Sequence, residues 1–416
     1  MPVLAHARRL ISLLVLTFVV GAISGLGSWA LFESLDQATE TRLDHEWLVW
    51  LLPIAAGLLG AAYWKFGGAA TRGTSLVIAH ANGTESTDVP ARMAPMIFAA
   101  TFIAQLTGAS VGREGAALQI GGSVTALLTK PFRLRDDDRR LLTTAAIAGS
   151  FGGAFGVPVA GAIFGIEVQR TGRLRYERIL VALVSSFTAD FVVEGLGRST
   201  PLTELMVDAD WWFASRLVVV GVAAGLAARL FIASLGRVRA TVTRFVPHEA
   251  LRPVVGGIAT LLLMILVGRD YLGLSLPLVE HALAGDLADW WDPVLKIVFT
   301  AVALGCAIPG GEVTPLFVVG ATLGSVLSAP LGLPPSITAA ACLGAVFGAA
   351  SNTPLACTIL VVELFGGAMA GPAAIVGLVA YAVSPRRGIY SGQVEGDRKD
   401  FTGRDRPASE ESPPRA

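Results

Sequence analysis

The feature that most restricts the fold of this chain is its resemblance to itself at a separation of 196 to 198 residues. The segment AIAGSFGGAFGVPVAGAIFGIE runs from Ala146 to Glu167, and CLGAVFGAASNTPLACTILVVE runs from Cys342 to Glu363. At an offset of 196, Phe151 falls on Phe347, Gly152 on Gly348, Ala154 on Ala350, Pro158 on Pro354, Ala160 on Ala356 and Glu167 on Glu363. Gly- and Ala-rich apolar helices resemble one another by composition, but matched prolines and glutamates in one register do not follow from composition. Upstream, Gly112-Arg113-Glu114-Gly115 and Gly310-Gly311-Glu312-Val313 each open an apolar helix, with Glu114 and Glu312 aligned at an offset of 198. The pattern predicts two related halves with a ligand site at their interface.

The medium is set by composition. Of 416 residues, 53% are hydrophobic and 15% charged, with mean hydropathy +0.63. That balance is too apolar for a soluble chain of this length and implies a polytopic, all-α membrane protein in the lipid bilayer. The 32 Lys and Arg are offset by 32 Asp and Glu and lie scattered between apolar runs, which argues against a nucleic-acid partner. Cys306, Cys342 and Cys357 show no CxxC spacing, so they read as packing residues, and no metal or cofactor is expected.

Leu10–Phe32 follows Arg8 and Arg9 and lacks a small-residue cleavage site, so it reads as a first membrane helix with a cytoplasmic N-terminus. Further apolar stretches cover about 47–63, 94–110, 115–129, 141–168, 178–195, 215–235, 254–268, 293–308, 313–332, 338–364 and 371–383. Some are too short for a span and others too long. Breaks are expected at Gly152-Gly153, Val157-Pro158, Pro309-Gly310-Gly311 and Thr353-Pro354, giving broken helices of the kind tolerated beside a transport pathway. Trp29, Trp47, Trp50, Trp64, Trp211, Trp212, Trp290 and Trp291 cluster near span ends. The basic segments Lys130–Arg140 and Arg170–Arg178 read as cytoplasmic. The expected organisation is a cytoplasmic segment 1–9, a first repeat 10–200, a second repeat 201–384 and a polar tail 385–416, disordered beyond Tyr390 and with no soluble regulatory domain.

Glu114 stands at the start of an apolar helix, where backbone N–H groups and the helix dipole favour negative charge. A carboxylate there substitutes for an anion; protonated, it can leave and admit one, which couples the two occupancies. Glu312 and Thr314 open the matching helix of the second half, where Pro315 suits a first helical turn. Helix capping is the alternative role for each. Glu167 and Glu363 read as structural caps. Lys296, in an apolar stretch, either attracts anions or snorkels to an interface. Asp190 and Glu194 fall near a span end, and His80 and His281 lack metal-ligand spacing.

The motif Gly112-Arg113-Glu114-Gly115-Ala116-Ala117-Leu118-Gln119 resembles the gating-glutamate motif of the CLC family of anion channels and antiporters. The likeness extends from about Leu10 to Tyr390. It implies an inverted-repeat fold of tilted, broken helices, a homodimer with one pathway per subunit, and a multi-pass place in the plasma or inner membrane. By motif position Glu114 is the external gate, and Tyr390, in Gly388-Ile389-Tyr390-Ser391, is the tyrosine that hydrogen-bonds the central anion.

Departures from the chloride pattern select a branch. In place of Gly-Ser-Gly-Ile-Pro stands Gly73-Thr74-Ser75-Leu76-Val77, which puts Thr74, or alternatively Ser75, at the central serine position. In place of Gly-Ile-Phe-Ala-Pro stands Gly311-Glu312-Val313-Thr314-Pro315, which resembles the fluoride/proton antiporters of the family. Val168 takes the place of the internal proton glutamate, a change that chloride channels of the family share; Glu312 decides for fluoride. Fluoride is compact and strongly hydrated, so stripping its water needs short, strong donors such as a protonated carboxyl or a Thr hydroxyl. The resemblance therefore implies proton-coupled fluoride export, with chloride transport as the alternative. Glu114 and Glu312 would carry protons, and Thr74, Ser75, Thr314 and Tyr390 with the 112–115 and 313 backbone (Gly112, Arg113, Gly115, Val313) would hold the anion. An intramembrane hydrolase is disfavoured, since no paired-His motif, Ser-Lys pattern or Asp dyad is present, and no enzymatic activity is expected.

Overall fold

The computed structural model describes residues 2–85, 87–132, 134–199, 203–207 and 210–395, with side chains from residue 9 onward except 129 and 130. Sixteen α-helices, five short 3-10 helices and two isolated β-bridges make up the regular structure of these residues. The first half contains α1 (Pro2–Asp44), α2 (Leu52–Phe66), α3 (Thr74–Asn82), α4 (Met93–Leu106), α5 (Glu114–Phe132), α6 (Asp136–Phe155), α7 (Pro158–Glu167) and α8 (Ile179–Gly195). The second contains α9 (Trp211–Phe245), α10 (Arg252–Val267), α11 (Leu276–Ala284), α12 (Asp292–Gly305), α13 (Val313–Leu331), α14 (Pro335–Ser351), α15 (Pro354–Phe365) and α16 (Ala370–Val383). Among the described residues, five segments are long and apolar enough to cross a membrane, Arg9–Asp44 and Trp211–Phe245 among them. At 43 and 35 residues, α1 and α9 exceed the roughly 20 that cross a bilayer upright, so they must tilt or project.

The long apolar runs break where a left-handed residue meets a proline. Gly156 (φ 67°) ends α6 and Asn352 (φ 58°) ends α14; Pro158 and Pro354 then begin α7 and α15. These pairs obey the 196-residue offset, so the local backbone repeats along with the sequence. Gly152-Gly153, expected to break the chain, instead lies within α6. A Cβ at Gly152 would fall 2.1 Å from Ser186 Oγ of α8, so the glycine serves close helix approach. Helix α1 continues past Phe32 to Asp44 because its polar outer part is used: Asp36 pairs with Arg113 (2.9 Å) and Arg198 (2.8 Å). The helices α3 and α11 were not legible as apolar spans, since each has only nine residues.

The two halves interlock reciprocally. Glu167, at the end of α7, accepts from the N–H groups of Leu355 (3.1 Å) and Ala356 (2.8 Å) at the head of α15. Glu363, at the end of α15, accepts from Val159 (3.0 Å) and Ala160 (2.7 Å) at the head of α7. Each carboxylate thus caps the helix of the other half, where positive dipole ends favour it. Phe151 and its repeat mate Phe347 stack with ring centroids 6.2 Å apart, and Phe164 lies 4.1 Å from Phe151. Reciprocal capping and a self-paired aromatic are what an approximate two-fold axis between the halves produces.

The C-terminal segment corrects the expectation of disorder beyond Tyr390. Val394 donates to Gln169 O (3.1 Å) and accepts from Thr171 N–H (3.1 Å), and Gln393 Nε2 donates to Val168 O (3.0 Å) and Ser351 O (2.6 Å). These bonds fix residues 391–395; the remainder of the tail, 396–416, lies outside the described residues.

Candidate functional site

At the centre the two glycine motifs meet as a single antiparallel bridge. Gly112 N–H donates to Gly311 O (2.6 Å) and Gly311 N–H to Gly112 O (2.8 Å). The side-chain-free surfaces are required: a Cβ on Gly311 would fall 2.8 Å from Gly115 N, and one on Gly115 2.9 Å from Gly311 Cα. The bridge sets the repeat register here at 199 rather than 198. Glu312 therefore matches Arg113, and Val313, the first residue of α13, matches Glu114, the first of α5. The two glutamates are not symmetry mates; sequence alignment had shifted the second motif by one residue to superimpose like side chains.

Glu114, 2% exposed, directs its carboxylate onto the head of α13 in the opposite half. Its oxygens accept from Thr314 Oγ1 at 2.6 and 2.7 Å, from Thr314 N–H at 3.1 Å and from Arg113 N–H at 3.2 Å. The expectation that the dipole of its own helix would hold it is thus replaced: the opposing helix supplies most of the donors. The N–H and hydroxyl of Thr314 thus form a seat for this carboxylate. Below it, a Cβ on Gly115 would lie 3.4 Å from Thr74 Oγ1 and 3.6 Å from Glu312 Oε2, so both groups converge on that glycine. The Thr74 hydroxyl donates to Gly115 O (3.3 Å), and Gln119 Nε2 contacts Thr74 Oγ1 (3.5 Å) and Gly115 O (3.2 Å). Glu312 makes no capping hydrogen bond to α13. Tyr390, 3% exposed, brings its hydroxyl beside the Glu312 carboxyl, at the margin of a hydrogen bond.

The remaining expected residues divide. Thr74 faces the cluster, while Ser75 is half-buried with its carbonyl toward Gly392. Gly112 spends both backbone groups on the bridge, so it shapes the seat rather than donating to an anion. Val313 packs in the apolar core. The Arg113 guanidinium bonds Asp36 (2.9 Å) and stacks over Phe32 (4.1 Å) while its Nε lies 3.6 Å from Glu114 Oε1, so both its side chain and its backbone N–H face the seat. Sequence reading assigned no role to Gln119, although its position one helical turn beyond Gly115 brings it to the same face. Asp36, which holds Arg113, and Arg198, which shares that carboxylate, carry no motif and were also missed.

Residues 56–385 match the voltage gated chloride channel family, most of the chain. The protein belongs to the CLC family. This CLC protein is 38% identical over 395 residues to the chloride/fluoride channel protein of Pseudomonas syringae pv. tomato, covering 93% of this chain and 87% of that one. It is 26% identical to the H(+)/Cl(-) exchange transporter ClcA of Vibrio vulnificus, covering 87% of this chain and 84% of that one. The crystal structure of a CLC-type fluoride/proton antiporter superposes with a TM-score of 0.89 at 30% identity, covering 93% of this chain and 98% of that chain. The all-helical arrangement is the CLC fold.

Proposed function

We propose that this CLC protein exports fluoride in exchange for protons, with Glu114 as the protonatable gate. The observation that carries the reading is the Glu114 carboxylate seated on the N–H and hydroxyl of Thr314, where a transported anion would sit. Protonation removes the charge that those donors hold, the side chain leaves, and a fluoride takes over the Thr314 donors. Release of the proton toward the other face returns the carboxylate and expels the anion. Glu312, buried beside Gly115 with Thr74, is the second acid: when protonated it donates to fluoride, and the Tyr390 hydroxyl next to it donates alongside. With Val168 in place of a carboxylate, Glu312, beside Gly115, is the second acid at the site that can take part in proton transfer.

The likenesses to a fluoride/proton antiporter and to a chloride/fluoride channel protein support this reading. Likeness to H(+)/Cl(-) exchangers keeps chloride as the competing substrate. The two repeats, 10–200 and 201–384, form one pathway at their interface, each subunit of a homodimer holds its own, and the protein resides in the plasma or inner membrane. The Arg9–Asp138 ion pair (2.7 Å) puts the start of α1 on the face of the first basic segment, which we assign to the cytoplasm.

Efflux of fluoride and of chloride from liposomes holding the purified protein, with internal pH followed, tests the function. Fluoride efflux with proton entry is expected. Efficient chloride efflux with little fluoride movement would assign the protein to chloride transport.

A further inference from the structure

Two buried cations lie side by side without an acid to neutralise them. Lys296 of α12 is fully buried, which rules out snorkelling, and its ammonium donates to Tyr271 O (3.3 Å), Gly273 O (2.8 Å) and Ser275 Oγ (2.8 Å). These acceptors bond the ammonium but carry no charge. Arg42, in the last turn of α1, is 8% exposed, and its Nε is buried with no hydrogen-bond partner. Among the described residues no carboxylate pairs with either cation. Asp292 is committed to the Tyr271 hydroxyl (2.6 Å) and to Asp289 N–H (2.9 Å).

The two cations meet at one glycine. A Cβ on Gly273 would fall 2.9 Å from Arg42 Nη2 and 2.7 Å from Gln105 Nε2, and Gly273 O is itself bonded to Lys296. Gln105 Nε2 gives one proton to Thr39 Oγ1 (3.0 Å), leaving its second. Unneutralised buried charge is expensive, and two like charges at close range add repulsion, so the arrangement favours an anion between them. Buried ionisable residues in membrane proteins mark ion routes. The cluster touches the segment that leads to the gate: Gly273 N–H bonds Gly108 O (3.2 Å), six residues before Glu114. Along α1, Arg42 lies about 9 Å beyond Asp36, the partner of Arg113, at a rise of about 1.5 Å per residue.

We propose that Arg42 and Lys296 form a buried halide subsite beyond the Glu114 gate, on the face opposite the basic segments, with Arg42 and Gln105 as donors and Lys296 as charge. That the halide is fluoride rests on the function proposed above. An anion leaving the gate would pause there before release.

Thermal unfolding of the full-length protein in detergent, at constant ionic strength with gluconate replaced stepwise by fluoride or chloride, tests the subsite in wild type and Arg42→Gln. A ligand bound only by the folded state raises Tm with its concentration. The Tm difference between wild type and Arg42→Gln is expected to widen in favour of wild type as fluoride rises, and Arg42→Lys is expected to restore most of it. Lys296→Met, similar in volume without the charge, provides the same comparison if Arg42→Gln fails to fold. A difference that widens with chloride and not with fluoride supports the subsite and counts against fluoride as the substrate. A difference independent of both halides overturns the subsite and leaves Arg42 a packing residue.

Discussion

Glu114 and Thr314 come from different halves of the chain, yet both carboxylate oxygens of the first lie within 2.7 Å of the hydroxyl of the second. In the proposed cycle the hydroxyl is a shared donor, given to the carboxylate in one state and to the anion in another. A hydrogen bond to a charged group is worth about 1.5–3 kcal/mol, or roughly tenfold or more in affinity. Thr314→Val should lower fluoride turnover by about tenfold, and Thr314→Ser should recover most of it, as read by a fluoride electrode during efflux. Equal turnover in Thr314→Val and wild type would leave the N–H as the only functional donor.

Gly115 is the point where Thr74, Glu312 and Gly311 come together. Gly115→Ala would press against Gly311 Cα at 2.9 Å, and overpacking of this kind typically costs about 1–3 kcal/mol. Fluoride efflux should fall by about tenfold or more while the variant remains monodisperse in detergent. Wild-type efflux would mean that the halves separate at this bridge without cost.

The crossed caps are a structural prediction. Glu363→Ala strips the acceptor from Val159 and Ala160 N–H, and loss of such a cap costs about 1–2 kcal/mol. Differential scanning fluorimetry should show a lower Tm, with Glu363→Gln intermediate. Glu167→Ala should behave alike, because it caps α15 in the same way.

Outside the membrane-spanning helices, the Arg72 guanidinium bonded to Glu85 holds its carboxyl down at about 2. A depressed folded pKa contributes stability above the unfolded value of about 4.3, and that stability fades as pH falls toward 2. The stability difference between wild type and Arg72→Gln should therefore be constant at neutral pH and shrink in acid. Glu85 is solvent-facing, so the difference should be small. A difference that grew with acid would assign the Arg72 contribution to another group.

Much of this organisation is legible in the sequence because membrane physics leaves few options. The matched prolines and glutamates at offset 196 announce the helix breaks and the capping role of the glutamates, though not that each cap crosses to the other half. What escaped was decided by tertiary contact. Gly152-Gly153 reads as punctuation until Ser186 is seen against it, and Glu312 aligns with Glu114 by chemistry until the Gly112–Gly311 bridge sets the register. Asp36 and Arg198 act through distant partners, which no local pattern marks, whereas the one-turn spacing from Gly115 was a signal for Gln119.

The most direct test of Glu114 as the coupling group is proton movement driven by a fluoride gradient in sealed liposomes. With fluoride loaded inside, no initial pH difference and potential clamped, wild type should acidify the lumen as fluoride leaves, and Glu114→Gln should show no fluoride-driven acidification. Fluoride-driven proton uptake that persists in Glu114→Gln would contradict the account and place the coupling proton on another residue.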